Sequence, residues 1–178
     1  MIGSKKLLEL VNKNNLVENL SERELINPEG SGFDLRVSEI FEIDNDEAFL
    51  GINERFTPKV STIAVYGKDK DILIRPQDFF LVKTMEKVNL PNNIAAIFRP
   101  RSTLQRCGIG LFSAAVSPGY KGELTFGICN FGKNNFKLEL GSRIVHILFF
   151  DTSENISNYR GQWQGGRVST DGEIETQV

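Results

Sequence analysis

Histidine, cysteine and tryptophan are scarce in this sequence: its 178 residues include one histidine, two cysteines and one tryptophan. Cys107 and Cys129 are not spaced as a zinc-binding pair, and together with the lone histidine they exclude a Cys/His zinc cluster. Two cysteines without a disulfide framework suit a reduced setting. We therefore expect free thiols, a cytoplasmic protein and no metal site built from side chains.

Long hydrophobic runs and an excess of positive charge are also missing. No apolar stretch approaches the roughly 20 residues that a membrane span needs, and the first residues show no apolar core followed by a cleavage site. The formal net charge of -2 disfavours non-specific binding to nucleic acid. We expect neither a membrane nor a nucleic acid as a partner.

The hydrophobic pattern predicts one short helix followed by an all-β protein. Residues 4–15 have apolar side chains at helical spacing, with Ser4 as a candidate cap. The later runs of Val, Ile, Phe and Leu are short and are divided by Pro, Gly, Asn and Asp, as in a β-sandwich or barrel. Residues 130–135 predict a hairpin turn, and residues 51–71 a long loop or loose hairpin. We expect a β domain over 1–158 and a flexible, glycine-rich tail over 159–178.

One segment combines groups that suit phosphate. At Arg101, Ser102 and Thr103, a turn after a strand would expose backbone N–H groups, hydroxyls and a guanidinium. Arg106 lies close enough in sequence to add a second guanidinium. A polar turn with surface arginines explains the same residues equally well.

Two further segments suit a flat or anionic ligand. Residues 114–124 run through small residues into a Pro-Gly turn, which can bring backbone close to a ligand, and Tyr120 follows with a ring face. Taken alone, an ordinary turn with a packed tyrosine is the better explanation. Residues 159–167 hold glycines, amides, arginines and aromatic rings that could close over a ligand and exclude water, or form a disordered end. The shared chemistry of the three segments favours one common ligand site.

The run RPRSTLQRCGIGLFSAAVSPGYKGELTFGICNFGKNNFKLELGSRIVHILFF resembles the core of the dUTPase / dCTP deaminase superfamily. The resemblance depends on the Arg-Ser-Thr-Leu-x-Arg turn at 101–106, the Pro-Gly-Tyr-x-Gly turn at 118–122, a strand ending in Asn130 and Gly-x-Arg-Ile at 141–144. Upstream, GFDLRV is similar to the family's Gly-Tyr-Asp-Leu-Arg-Val, and downstream YRGQWQG resembles the tail of archaeal-type members. The motifs cover about residues 26–167 and follow the family order.

The resemblance implies a jelly-roll-like β-sandwich of the dUTPase type, assembled as a homotrimer with active sites between subunits. Phosphates would be held by Arg101, Ser102, Thr103 and Arg106. The pyrimidine and deoxyribose pocket would be lined by the segment from Ala114 to Tyr120, including Ala115 and Val116. The tail would close over the triphosphate through Tyr159, Gln162 and Gln164. Mg²⁺ would bridge the phosphates, held mainly by nucleotide and water.

The sequence departs from the family at both catalytic carboxylates. The position of the dUTPase aspartate is Ser117, and that of the deaminase glutamate is Gly127. Glycine moves no proton, so deamination is disfavoured, whereas Ser117 could still orient water. Glu123 or Asp34 could supply a carboxylate, although Glu123 is more typical of a solvated strand residue and Asp34 of a structural hydrogen-bonder. His146 is expected to be structural as well.

We predict a Mg²⁺-assisted hydrolase that converts dUTP and water to dUMP and pyrophosphate. Ser117 would orient the water, and Arg106, with Arg101 and Ser102, would stabilise charge at the α-phosphorus. Two alternatives stay open. One is a dCTP deaminase, and the other is a nucleotide-binding or regulatory protein with little or no catalysis.

Overall fold

The computed structural model describes residues 1–154, 156–157 and 159–177, and strands dominate it. The helices are α1 (Ser4–Asn14), α2 (Glu22–Ile26) and α3 (Ser102–Arg106). The strands are β1 (Val17–Glu18), β2 (Gly32–Ile43), β3 (Phe49–Leu50), β4 (Glu54–Phe56), β5 (Val60–Val65), β6 (Asp71–Ile74), β7 (Phe79–Asn89), β8 (Ile94–Pro100), β9 (Ile109–Phe112), β10 (Lys121–Asn130), β11 (Phe136–Glu139), β12 (Arg143–Asp151) and β13 (Glu175–Thr176).

The strands form one large sheet and two small ones. The large sheet has the order β8-β12-β2-β7-β10-β9, with β1 added to β7 and β5 added to β2, and its pairings are antiparallel. The small sheets are β11-β6 and β13-β4-β3. This architecture confirms the predicted all-β fold.

Strand β2 joins the two halves of the large sheet. Its first residues pair with β12. The pairing with β7 begins at Val37 and shifts register between Val37 and Glu39, and the pairing with β5 begins at Glu39. Residues 33–35 and Val37 are buried, which is the near-continuous burial expected of a strand covered on both faces. A single cluster of buried side chains, which includes Phe33, Phe126 and Phe149, forms the core beneath both halves.

Helix α1 confirms the helix predicted near the start of the chain. Leu7 and Val11, one turn apart, are its buried residues, because side chains at i and i+4 share one face. The proposed Ser4 cap is wrong: Gly3 is the N-cap residue, and no side chain caps the helix. The helix ends where Asn15 adopts a left-handed conformation with φ 50°.

Two predictions about connections are also wrong. Residues 130–135 do not join a hairpin, because β11 pairs with β6 rather than with β10. The Asn130 side chain shapes this turn by donating to the carbonyls of Ile74 and Asn134 and accepting from Gly132 N–H. Residues 51–71 are not a long loop either, since they contain β4 and β5, and β5 belongs to the large sheet.

The C-terminal segment returns to the body of the protein. Its strand β13 pairs with β4, with Glu175 opposite Arg55. The division of the chain into a β domain and a closing tail stays a prediction. Among the described residues, no helix combines the length and hydrophobicity needed to cross a membrane.

Candidate ligand-binding site

A cavity of about 590 Å³ lies between the Pro-Gly turn, the middle of β10 and the C-terminal segment. Its walls are mainly apolar and aromatic, as ligand pockets usually are. The lining includes Thr57, Phe79, Phe98, Ala115, Val116, Ser117, Tyr120, Leu124, Thr125, Phe126, Tyr159, Trp163, Arg167 and Ser169. The structure thus brings together five residues that the sequence singled out: Ala115, Val116, Ser117, Tyr120 and Tyr159.

The backbone of the turn fixes Ser117 at the cavity. Val116 exchanges two backbone hydrogen bonds with Ala96 of β8, at 2.8 and 3.0 Å, and Tyr120 N–H donates to Ser117 C=O at 3.3 Å. Gly119 has φ 82°, the left-handed value that the third residue of a type II turn requires. Ser117 itself is exposed at the cavity, so its hydroxyl is accessible to a ligand or to water.

Tyr120 presents a neutral ring to the cavity. Its hydroxyl donates to Glu123 C=O at 2.6 Å, and its ring meets the Tyr159 ring edge-on, with centroids 5.3 Å apart. Burial raises the pKa of Tyr120 to about 12. The side chain is therefore a packing surface near neutral pH, and it is not a base.

The C-terminal segment is held against the Pro-Gly turn by backbone and amide contacts. Tyr159 N–H donates to Pro118 C=O at 2.8 Å, and Gln164 donates to Gly119 C=O and accepts from Lys121 N–H. The approach is so close that a Cβ on Gly122 would lie 2.5 Å from Gly166 N. Glycine is required there because any side chain would push the segment off the turn.

Trp163 forms the outer wall of the cavity and contacts two arginines. The Arg55 guanidinium lies 4.7 Å from the ring centroid and that of Arg167 lies 6.0 Å away, both in the range of cation–π attraction. Arg167 donates to Glu175, and Arg55 donates to Gln162. Gln162 is thereby turned toward β4 and does not line the cavity, in contrast to its expected role over a triphosphate.

The predicted phosphate-binding residues lie outside this cavity. Arg101, Ser102, Thr103 and Arg106 belong to α3 and the residue before it, and none of them lines the cavity of the same chain. Ser102, Thr103 and Arg106 are exposed. These three side chains can therefore contact a ligand bound outside their own chain, but they do not contact a ligand in their own chain's cavity.

Arg101 belongs to a buried charge network around Asp34. The fully buried Asp34 carboxylate accepts from Arg101 at 2.5 Å, from Arg143 at 2.9 Å and from His146 Nδ1 at 2.8 Å. Burial opposes ionisation, but the hydrogen bond from His146 and the charge of Arg101 outweigh it and hold the pKa of Asp34 below its usual value. This arrangement supports structural roles for Asp34 and His146.

In the described part of the chain, no nearby carboxylate takes the place of the two that are missing at Ser117 and Gly127. Among the described residues, no Asp or Glu lines the cavity, and Glu123 and Asp34 both lie outside the lining. A Cβ on Gly127 would meet the Phe79 ring at 2.8 Å, and the same ring lines the cavity. Among the described residues, no cluster of His, Cys, Asp and Glu is arranged to hold a metal ion. Cys107 and Cys129 are both free.

Phe79, Thr125, Trp163 and Arg167 are among the lining residues that sequence reasoning did not assign individually to the ligand. Trp163 and Arg167 lie in the glycine-rich segment whose composition favoured a ligand site, so that composition was a usable signal. Phe79 and Thr125 lie in ordinary-looking strands. Only the pairing of β7 with β10 reveals that they face the same space.

The fold and the cavity define a β-protein whose C-terminal segment forms one wall of a mainly apolar cavity. A family model described as dCTP deaminase-like matches residues 1–152, and the chain belongs to this family. Its relatives carry two different activities in their names. A probable deoxyuridine 5'-triphosphate nucleotidohydrolase of Methanosarcina mazei is 33% identical over 168 residues, covering 92% of this chain and 96% of the relative.

Other comparisons agree on the family and the fold. A dCTP deaminase of Pyrococcus horikoshii is 32% identical and covers 87% of this chain and 88% of its own. A crystal structure of the 2'-deoxycytidine 5'-triphosphate deaminase from Agrobacterium tumefaciens superposes with a TM-score of 0.64 at 16% identity, over 83% of this chain and 46% of that one. This likeness confirms the fold predicted from the motifs. The family therefore processes nucleotides, while the reaction of this chain is not fixed by these matches.

Proposed function

We propose that this chain binds a deoxypyrimidine nucleoside triphosphate in the cavity and hydrolyses dUTP to dUMP and pyrophosphate. One observation carries the proposal: Ser117, Tyr120 and Tyr159, from two segments about forty residues apart in sequence, line a single cavity of about 590 Å³. A volume of this size suits a drug-sized or nucleotide-sized ligand. The relatives named as deoxyuridine triphosphate hydrolases support the choice of substrate.

The aromatic and apolar walls would hold the base and the sugar. Tyr120 is buried against Tyr159, so its ring is fixed and can lie against a deoxyribose, where a 2'-hydroxyl would be disfavoured. Val116 and Phe126 add apolar surface for the pyrimidine. These contacts would bind and orient the nucleoside without taking part in bond breaking.

The phosphates would meet α3 of a neighbouring subunit in a homotrimer. The exposed Ser102, Thr103 and Arg106 lie outside the cavity of their own chain, which is what a site shared between subunits requires. Arg101 uses Nη1 to bind Asp34, and the other donors of its guanidinium remain for phosphate oxygens. Two guanidinium groups and two hydroxyls would then stabilise charge at the α-phosphorus.

Ser117 is the candidate for orienting the attacking water, because its hydroxyl is exposed at the cavity. A neutral hydroxyl is a poor base near neutral pH, so catalysis would depend on positioning and charge stabilisation. Mg²⁺ fits only as an ion held by the nucleotide and water, because no Asp or Glu lines the cavity in the part of the chain that the structure describes. When bound, it would neutralise phosphate charge.

The described lining residues include no carboxylate, which favours a second candidate, a nucleotide-binding protein without turnover. The Phe79 ring beside Gly127 argues against the third candidate, a dCTP deaminase, because it leaves no room for the glutamate such an enzyme needs.

One product assay separates the three candidates. The purified protein is incubated with dUTP and with dCTP, with and without Mg²⁺, and the products are resolved. Pyrophosphate from dUTP supports hydrolysis, whereas ammonia from dCTP would establish deamination. Thermal stabilisation by nucleotide without any product would establish binding alone. If nucleotide neither reacts nor stabilises the fold, the proposal is wrong.

A further inference from the structure

Two guanidinium groups share one oxygen of the buried Asp34 carboxylate. Arg101 Nη1 lies 2.5 Å and Arg143 Nη1 lies 2.9 Å from Asp34 Oδ2, while His146 Nδ1 lies 2.8 Å from Oδ1. Asp34 is ionised near neutral pH because its pKa is held below its usual value. One carboxylate therefore balances only one of the two arginine charges. We call Arg101 and Arg143 the arginine pair.

A third arginine beside the same carboxylate does not share this excess of charge. Arg23 Nη1 lies 3.8 Å from Asp34 Oδ2, but the two terminal nitrogens of Arg23 bind Glu24 and Glu29. In the part of the chain that the structure describes, the arginine pair has no acidic partner besides Asp34. One positive charge is therefore left uncompensated at the arginine pair.

The arginine pair also has hydrogen-bond donors that a ligand can reach. A guanidinium has five N–H groups, and the contact with Asp34 uses only Nη1 of each arginine. The Nε and Nη2 atoms of both arginines bond to none of the described residues. The side chains of Arg101 and Arg143 are 31% and 35% exposed. An anion can thus reach these donors directly from the solvent.

The backbone places the arginine pair beside the first residues of α3. Arg101 is the N-cap residue of α3, and its N–H donates to Ile144 C=O at 3.0 Å, which ties α3 to β12 one residue after Arg143. Ser102 and Thr103 follow Arg101 directly, and both are exposed. Hydroxyls and guanidinium groups from two separate segments are therefore neighbours at one surface.

We propose that Arg143 binds the phosphates of the nucleotide together with Arg101. This inference rests on the proposed function, and it adds a residue of β12 to the phosphate-binding residues of α3. Planar guanidinium groups suit phosphate because each can donate two parallel hydrogen bonds to its oxygens. Asp34 orients both guanidinium groups, and phosphate supplies the negative charge that the arginine pair lacks. The sequence showed Arg143 only as part of the Gly-x-Arg-Ile motif.

The test compares a nucleotide with the nucleoside that lacks its phosphates, using the full chain. Calorimetry measures the binding of α,β-imido-dUTP with Mg²⁺, and of deoxyuridine, to wild type, R143Q and R143K. We expect R143Q to bind α,β-imido-dUTP about tenfold more weakly or worse, because a charged donor to phosphate is lost, and deoxyuridine within about twofold of wild type. R143K retains the charge without the planar fork, so its loss should be smaller, about threefold.

The control variant is K6Q, which removes an exposed cation elsewhere. Lys6 pairs with Glu9 on α1, and neither residue belongs to the Asp34 network. K6Q should bind both ligands as wild type does, which shows that the effect of R143Q is not a general effect of lost positive charge. A loss of α,β-imido-dUTP binding in K6Q equal to that in R143Q would overturn the inference.

The two ligands also separate a phosphate contact from a structural role. If R143Q binds both ligands more weakly by the same factor, Arg143 supports the fold and the inference is overturned. The dependence of α,β-imido-dUTP binding on KCl concentration decides the same question where deoxyuridine binds too weakly to measure, because a lost ionic contact makes binding less sensitive to salt. R143K carries the test if R143Q does not fold.

The failure of this inference differs from the failure of the proposed function. Wild-type affinity of R143Q for α,β-imido-dUTP would overturn the role of Arg143 and leave the proposed function intact. If wild type itself does not bind α,β-imido-dUTP, the proposed function fails and this inference fails with it.

Discussion

The Phe79 ring fills the space that a side chain at position 127 would need: its Cζ atom lies 2.8 Å from the place of a Cβ on Gly127. The two residues lie on paired strands, since Phe79 is opposite Cys129 and therefore diagonal to Gly127. An aromatic ring that covers a glycine of the neighbouring strand restores packing that the glycine lacks. Phe79 and Gly127 thus form a matched pair, and a side chain at position 127 requires the Phe79 ring to move.

This pairing predicts a non-additive effect on stability. G127A should lower the free energy of unfolding by about 1–2 kcal/mol, because the new methyl group overlaps the Phe79 ring and comes within 3.3 Å of Phe112 Cβ. In an F79A background the same substitution should cost less, because the ring is gone. Urea denaturation of wild type, G127A, F79A and the double variant measures the coupling energy between the two positions. Equal costs in both backgrounds would show that Phe79 does not limit position 127.

The serine at position 117 predicts a gain of function. S117D should raise the rate of dUTP cleavage by about tenfold or more, because a positioned carboxylate can take a proton from water where a hydroxyl cannot. S117N is the matched control, since it has the shape of aspartate without its charge. Rates are measured as pyrophosphate released per subunit.

The comparison between the two Ser117 variants decides the interpretation. If S117D is no faster than S117N, position 117 does not hold the attacking water, and the assignment of Ser117 is wrong. Binding of α,β-imido-dUTP to both variants should be retained, which shows that the site is intact.

The Asp34 network predicts how stability depends on pH. Removing the carboxylate in D34N leaves Arg101 and Arg143 without their buried partner, and should cost about 3–5 kcal/mol at neutral pH. The folded pKa of Asp34 is held below its ordinary value of 3.8, so the stabilisation is present above that pH and is lost as the pH falls through the folded pKa. The difference between wild type and D34N should therefore narrow as the pH falls from about 5 to about 3.

Chemical denaturation of both proteins across this range measures the difference. A difference in unfolding free energy between wild type and D34N that stays constant or widens toward about pH 3 would contradict the assignment of a lowered pKa to Asp34. H146Q serves as a control, because it removes one neighbour of Asp34 while leaving both arginines.

The amino-acid pattern predicted the parts of the fold that depend on local sequence. The spacing of Leu7 and Val11 gave α1, and alternating apolar runs gave the strands. The local sequence did not predict which distant strands pair with each other. Strand β11 follows a turn signal at 130–135, yet it pairs with β6, more than sixty residues earlier, and the Asn130 side chain donates to the carbonyl of Ile74 at the end of β6.

The candidate site was predictable to the same extent. The Pro118-Gly119 turn and Tyr120 were visible because turn chemistry is local. Thr125 lines the cavity on a strand whose register against β7 shifts between Glu123 and Thr125, and no sequence pattern in β10 predicts that shift. The role of Gln162 at a ligand stays a prediction. Its side chain accepts from Arg55, which lies in a segment that gave no functional signal.

The central claim is that a deoxypyrimidine nucleotide occupies the cavity beside Trp163. Trp163 is the sole tryptophan of the chain and lines the cavity, so its fluorescence reports on that site alone. The most direct measurement is a titration of this fluorescence with α,β-imido-dUTP and Mg²⁺, alongside inorganic triphosphate. Our account predicts a saturable change with the nucleotide that inorganic triphosphate does not reproduce. An unchanged spectrum at saturating nucleotide, or the same change with inorganic triphosphate, would contradict it.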